Sequence, residues 1–138
     1  MILFRESADD VTPDQLHGFF VAWPNPLSLE THLEILRNSY RVVLAVDKEN
    51  NRVVGFVNAI SDGVLSAYVP LLEVLPEYQK QGIGRELVRR MLALLSNLYM
   101  IDLTCDPELQ PYYESIGLVK STGMMKRNYD RQSGEPPK

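Results

Sequence analysis

The sequence predicts a mixed α/β domain, a sheet with helices packed on its faces, and three observations carry that prediction. Two apolar runs rich in β-branched residues, RVVLAV (41–46) and RVVGFVNAI (52–60), are joined by DKENN, the composition of a hairpin turn. From Gly84 onward Leu87, Met91, Leu94 or Leu95, and Leu98 recur at three- and four-residue steps, while Arg85, Glu86, Arg89 and Arg90 take the other face of an amphipathic helix. Strand-like and helix-like segments alternate over 138 residues, enough for one domain with a real core and too few for two.

Taken in order, residues 1–5 can form a first strand. Thr12 followed by Pro13 is an N-cap with proline at the first helical position, opening a helix to about Ala22. WPNP (23–26) breaks the chain. Ser28 opens a second helix carrying Leu29, Leu33, Ile35 and Leu36 and ending near Ser39. After the hairpin, the turn SDG leads into a third apolar run, 64–74. Pro70 within it signals an irregularity or an edge position, because proline cannot donate to a sheet ladder. YMIDLTC (99–105) follows the amphipathic helix as another strand. Asp106, Pro107 and Pro111 start a short helix that Gly117 closes, and residues 118–125 make a last strand. One domain over residues 1–128 is expected, with DRQSGEPPK as part of a flexible tail over 129–138.

Composition narrows the function. Hydrophobic residues at 45% and charged residues at 23% are the balance of a soluble globular protein. No apolar run approaches ~18 residues, and the N-terminus turns charged too early for a secretory signal, so a cytoplasmic protein without a membrane partner is expected. Cys105, the single cysteine, has no internal disulfide partner, and no Cys/His cluster has zinc spacing; no metal is expected. His17 and His32 are read as ordinary surface or core residues rather than as catalysts. A net charge of −4 argues against a nucleic-acid binder. Any anion site must be local.

Such a site is written into LEVLPEYQKQGIGRELVRRMLALL (72–95). Gly82 and Gly84 fall where a strand gives way to the amphipathic helix, the place where free backbone N–H groups and the positive end of the helix dipole attract an anion. Lys80 and Arg85 at a helix start are unfavourable unless an anion neutralises them. A tight turn beside a solvated arginine face is the plainer reading of the same residues, with Glu86 and Arg90 as a surface pair. There is no GxxxxGK[ST], and Leu87 stands where a dinucleotide fingerprint has its third glycine, which disfavours ATP and adenine dinucleotides.

These residues resemble the GNAT superfamily of acetyl-CoA-dependent N-acetyltransferases. Its motif [QR]xxGx[GA] is matched by Gln79, Gly82 and Gly84 in QKQGIG, LEVLPEY is similar to the family's strand-four ending, and PYYESIGL (111–118) is similar to its FYxxxGF helix, with Tyr113 at the tyrosine. The resemblance covers roughly residues 41–125. It implies a largely antiparallel sheet of about six strands, flanked by about four helices and splayed at a central strand pair. It implies acetyl-CoA as cosubstrate, its pyrophosphate on Gln79, Lys80, Gln81, Gly82, Ile83, Gly84 and Arg85. The pantetheine arm would lie along Leu72, Glu73 and Val74, pairing with main-chain groups as an added strand would.

Acetyl transfer needs a neutral amine, a polarised carbonyl and a proton for the departing thiolate. A backbone N–H near Val74 could polarise the carbonyl. Tyr113, by resemblance, would serve the thiolate; the alternative is a core aromatic. Glu73 is the nearest candidate base, since an acid between Leu72 and Val74 is costly to bury without a purpose, although a solvent-directed or ion-paired side chain fits equally. Asp106 reads first as an N-cap, with the cofactor arm in reach, and Asp62 first as a turn residue, with the acceptor in reach. An acetyl-Cys105 intermediate is disfavoured against direct attack. Trp23 in AWPNPLS either covers the acceptor or pins two helices together. The expected partner is a small-molecule or peptide amine, with a homodimer also open. The rival function is a non-catalytic acyl-CoA-binding sensor or regulatory module.

Overall fold

The hairpin of β2 (Arg41–Asp47) and β3 (Arg52–Ser61) forms the centre of the sheet. Both strands are apolar on both faces and almost wholly buried, the pattern of strands covered on two sides. They pair antiparallel with Val43 opposite Val57 and Leu44 opposite Phe56, and the register slips by one residue between Ala45 and Val46. β1 (Ile2–Arg5) adds antiparallel to the free side of β2. The computed structural model describes residues 1–136.

The run 64–74 forms two strands, not one. β4 (Ser66–Tyr68) and β5 (Leu72–Val74) both pair antiparallel with β3, at Ile60–Ser61 and at Gly55–Val57 respectively. Pro70 lies in the break between them, where a missing N–H costs nothing. The break is held by Asn58, only 1% exposed. Its Oδ1 accepts the Leu71 N–H at 3.2 Å, its own N–H donates to the Leu71 carbonyl at 3.2 Å, and its Nδ2 donates to Ser39 Oγ at 3.1 Å. Asn58→Ala would leave the Leu71 N–H and the Ser39 hydroxyl without these partners in a half-buried place. A loss of about 2–3 kcal/mol is expected in urea unfolding, against about 0.5 kcal/mol or less for an exposed substitution.

α1 (Leu29–Asn38) begins where expected, with Ser28 Oγ accepting the Thr31 N–H at 3.1 Å, and ends at Ser39. α2 (Ile83–Leu94) packs Ile83, Leu87, Val88 and Met91 against β2, β3 and β5. Full burial of Leu87 and Met91 contributes about 1.5–3 kcal/mol each. β6 (Met100–Asp102) pairs parallel with β4, giving a six-stranded, mostly antiparallel sheet in the order β1-β2-β3-β4-β6, with β5 beside β3. α3 (Gln110–Ser115) follows a 3-10 turn at Pro107–Leu109, and Gly117 ends it at φ 104°.

Three expectations are corrected. The helix from Pro13 to about Ala22 is a single 3-10 turn, Pro13–Leu16, with Thr12 and Pro13 in their expected places. Gly18 stops it at φ 100°, in a place where a Cβ would come within 2.9 Å of Arg52 Nη2 and 3.1 Å of Leu75, and Phe20 follows at φ 63°. The helix count therefore falls to three α-helices among the described residues. The last strand, expected over 118–125, does not form: these residues have no regular secondary structure and pair with no strand among the described residues. Beyond them the chain forms a 3-10 turn at Tyr129–Arg131, and Gln132 Oε1 accepts the Asn25 N–H at 3.1 Å.

Candidate active site

Sheet pairing comes apart between β5 and β6. The last bond joining the two halves is from Val69 N–H to the Asp102 carbonyl, after which β5 stays on β3 and residues 103–106 turn away. The gap is a cleft of about 580 Å³, walled by residues 69–73 and 103–106, with Val88, Met91 and Leu92 of α2 also lining it. Phe20, Trp23, Tyr113, Met125 and Arg127 also line it, over a floor that includes Phe56 and Val57.

β5 presents unsatisfied main chain to this cleft. Leu75 N–H bonds to the Val54 carbonyl and Asn58 N–H to the Leu71 carbonyl, so odd-numbered residues turn their main-chain groups to β3. Leu72 and Val74 therefore turn theirs away from β3. The Val74 carbonyl is taken by Gln79 Nε2 at 2.9 Å, while the Leu72 and Val74 N–H groups have no acceptor among the described residues. Gln79 thus ties the turn to the strand it leaves.

The turn is a cluster of free donors. Lys80 at φ 64° and Gly82 at φ 83° are both left-handed, and Gly82 is the N-cap of α2 without a capping side chain. Among the described residues, the N–H groups of residues 80–85 find no hydrogen-bond acceptor. Successive amides of this kind form an anion-binding concavity, reinforced by the helix dipole. Glycine at 82 answers to the positive φ. Gly84 has neither reason, since a Cβ there would only reach ordinary contact with Val74 Cγ2 at 3.6 Å. Arg85 lies over the Tyr112 ring, 5.5 Å from its centre, which seats α3 against the start of α2. Glu86 pairs with Arg89 and, as expected, with Arg90 at 2.9 Å; Arg89 first and Arg90 second hold its pKa down to about 2.

Glu73 is half-buried and lines the cleft, whose lining includes no residue of the turn 79–85. Its carboxylate accepts the Phe20 N–H at 3.2 and 3.3 Å, and only the left-handed turn at Phe20 aims that donor at it. Burial pushes the Glu73 pKa up, and the Phe20 N–H pulls it partly back. Phe20 in turn lies edge-on to Trp23, ring centres 4.8 Å apart, and Trp23 lines the cleft; the pin between two helices does not form, since the segment before Trp23 holds only the 3-10 turn at Pro13–Leu16. Tyr113 is 8% exposed, lines the cleft and has no hydrogen-bond partner for its hydroxyl among the described residues. Burial, then the neighbouring Cys105 and Tyr112, push its pKa up, so that it carries its proton at neutral pH.

Asp106 caps the 3-10 turn through its carbonyl, which accepts the Leu109 N–H, and the residue lines the cleft. Asp62 is not brought to the site. Its carboxylate accepts the N–H groups of Leu65, Val64 and Ser66, which lower its pKa, and the residue fixes the β3–β4 turn outside the cleft lining. Phe20, Met125 and Arg127 are cleft residues that the sequence reading leaves out. Among the described residues no His/Cys/Asp/Glu group could hold a metal, and no helix is long and apolar enough to cross a membrane.

An α/β sheet opened beside a helix-start cluster of free amides is the architecture of an N-acetyltransferase domain. The chain belongs to the GNAT acetyltransferase family, whose domain matches residues 7–129. A crystal structure of a protein assigned as an acetyltransferase from Deinococcus radiodurans R1 is 47% identical, superposes with a TM-score of 0.92, and covers 98% of this chain and 94% of its own. Two curated relatives from Arabidopsis thaliana are GCN5-related N-acetyltransferase 3, chloroplastic, 32% identical over 65% of this chain, and GCN5-related N-acetyltransferase 1, chloroplastic, 27% identical over 90%. The chain spans 40% and 64% of their respective lengths.

Proposed function

We propose that the protein transfers an acetyl group from acetyl-CoA to a primary amine, a small amine or a peptide amino group, by direct attack in a ternary complex, with residues 1–128 as the catalytic domain. The observation that carries this reading is the run of unpartnered amides at residues 80–85, one turn of chain away from a strand edge with its own free N–H groups. Together they match a ligand that is a pyrophosphate at one end and an amide-bearing arm along its length. Gln79, Lys80, Gln81, Gly82, Ile83, Gly84 and Arg85 would hold the pyrophosphate, Leu72 and Val74 the arm through their main chain, and Asp106 the opposite wall; Glu73, expected to share in the arm, spends its main chain on Phe56 in β3.

In the reaction the amine nitrogen attacks the thioester carbonyl carbon and the C–S bond breaks. The Val74 N–H, which has no acceptor among the described residues, would stabilise the oxyanion. Glu73 would take the proton from the amine, and Tyr113, protonated at neutral pH, would give one to the departing thiolate. Trp23 and Phe20 would flank the acceptor beside Glu73. Cys105 has no step in this scheme.

Glycine within the first turn of a helix costs about 1 kcal/mol relative to alanine, and nothing in the protein requires it at position 84. Gly84→Ala is therefore expected to fold with unchanged or slightly raised stability and yet to bind acetyl-CoA at least about tenfold more weakly in calorimetric titration, the effect of losing roughly 1.4 kcal/mol at the cradle. Unchanged affinity would remove the cradle from the reading. The activity itself is tested by thermal shift with acetyl-CoA, followed by free-thiol release against an amine panel. Stabilisation with thiol release that depends on the amine is the expected result; binding without turnover on a broad panel would leave the sensor reading in its place.

A further inference from the structure

Three charged side chains line the cleft, Glu73, Asp106 and Arg127, and none of them is in an ion pair among the described residues. The reaction scheme takes Glu73 as base and Asp106 as a wall for the cofactor arm. Arg127 has no task in it. Its Nη1 donates to the Lys126 carbonyl at 3.3 Å, while its Nε and Nη2 have no acceptor among the described residues. An exposed arginine that also lines the cleft stands at its rim, where it can reach a bound molecule without an unpaired charge having been buried beforehand.

The segment that carries Arg127 is tied down on both sides of it. The Leu118 N–H donates to the Tyr113 carbonyl at 3.1 Å, and Gln132 Oε1 accepts the Asn25 N–H at 3.1 Å. Gly134, at φ 79°, lies so close to the start of α1 that a Cβ there would come within 2.9 Å of Thr31 Cγ2 and 3.6 Å of Leu27 Cδ2. The chain thus crosses from the tyrosine assigned to the thiolate to the loop that follows Trp23, and Arg127 is nearer in sequence to the second anchor than to the first. It shares the cleft with Phe20, Trp23 and Glu73, whereas no residue of the turn of free amides lines that cleft. Both facts favour the acceptor over the pyrophosphate as the molecule Arg127 meets.

We propose that the acceptor is a small amine that also carries an oxyanion, a carboxylate or a phosphate, on an apolar body, and that Arg127 receives the oxyanion. The inference rests on the acetyl-transfer reading and names the substrate class for that site. The amine end meets Glu73, the apolar body meets Phe20 and Trp23, and the oxyanion meets the unpartnered Nε and Nη2 of Arg127. A guanidinium offers two parallel N–H donors to two oxygens of either group, a geometry that an ammonium lacks. The net charge of −4 makes the chain as a whole unattractive to an anion, so the discrimination falls to one local cation. The cleft of about 580 Å³ is shared with the cofactor arm, which suits a small acceptor.

The test uses the full chain and matched pairs of amines, phenylalanine against phenylethylamine and a phosphorylated amino alcohol against the parent alcohol; the pair that responds tells carboxylate from phosphate. By free-thiol release, the acidic member of a pair should have a kcat/KM at least about tenfold above its partner, with the difference in KM. Arg127→Gln should remove that preference while acetyl-CoA affinity moves by less than about a factor of two. Calorimetric titration of the same amines does not pass through catalysis, and it should show the same preference and the same loss. A preference in binding without thiol release would support Arg127 as the oxyanion site and count against acetyl transfer instead. Equal kcat/KM and equal binding within both pairs, a preference that survives Arg127→Gln, or a variant that loses affinity for acetyl-CoA in place of the acidic amine would each overturn the proposal.

Discussion

Glu73→Gln is expected to lower kcat/KM for acetyl transfer by about 10²–10⁴, the ordinary contribution of a general base, while acetyl-CoA binds within about a factor of two of its wild-type affinity. The two halves of this expectation come from two parts of one residue. Its main chain pairs with Phe56 in β3, which the substitution leaves intact. Its side chain accepts the Phe20 N–H, and a glutamine oxygen can still accept it, so the left-handed turn at Phe20 survives. What is lost is the ability to take a proton. Burial raises the Glu73 pKa, so the carboxylate of the wild type protonates at a higher pH than an exposed glutamate, and kcat/KM should fall as the pH drops through that pKa. The variant should lack this limb and keep the one that belongs to ionisation of the acceptor amine. A Glu73→Gln enzyme within threefold of wild type, with its acid limb unchanged, would transfer the role to water or to another group.

The turn of free amides is legible in the sequence because its signals are local. Gln79, Gly82 and Gly84 act within one turn of chain, and the helix that follows announces itself by its own periodicity. Tyr113 is legible for the same reason, with Pro111 before it and Gly117 after it marking a short helix that has one place to sit. The arrangement around Glu73 is different. Its partner is the N–H of Phe20, 53 residues earlier, and that N–H is presented only because a phenylalanine adopts φ 63°. The helical pattern over 13–22 gives no hint of this, because Gly18 and Leu75 decide it through a contact made in the folded state. Asn58 is hidden in the same way, since an asparagine in an apolar strand looks like an exception until Leu71 and Ser39 converge on it. Asp62 shows the opposite case: its short-range bonds to residues 64–66 were the plainer reading of SDG, and they are the ones it makes. The strand pattern over 118–125 is a local preference only, and no sheet pairing among the described residues realises it.

Between pH 7 and pH 4 the protein is expected to lose about 3 kcal/mol of stability through one residue, His32, and His32→Leu should abolish most of that dependence. His32 sits on α1 at 1% exposure, with its ring edge-on to Phe19, Phe20 and Phe56 at 5.4, 4.9 and 4.5 Å, and its Nε2 is buried without a hydrogen-bond partner among the described residues. An imidazolium in that setting has lost its hydration and gained no counter-charge, and burial lowers the pKa from 6.5 to about 4. The unfolded chain therefore binds a proton at His32 from about pH 6.5 downward, whereas the folded chain refuses it until about pH 4. Stability falls across that interval and the contribution is flat outside it. Glu73 works in the other direction, since its raised pKa adds stability as the pH falls, so a background of Glu73→Gln isolates the histidine. The carboxylates with lowered pKa values, Asp47, Asp62 and Glu86, lose their stabilising effect only below about pH 5, which leaves pH 6.5 to 5 as the clean interval. Leucine is close to histidine in volume, suits the helix, and removes a polar atom that has no partner. At pH 7 the variant should differ little, with the lost ring contacts offset by the relieved nitrogen, and at pH 5 it should unfold at a higher urea concentration than the wild type. Parallel urea midpoints for the two proteins across pH 7 to 5 would mean that His32 finds a partner for its proton, and the aromatic cluster would then be a pocket with access to water rather than a dry core.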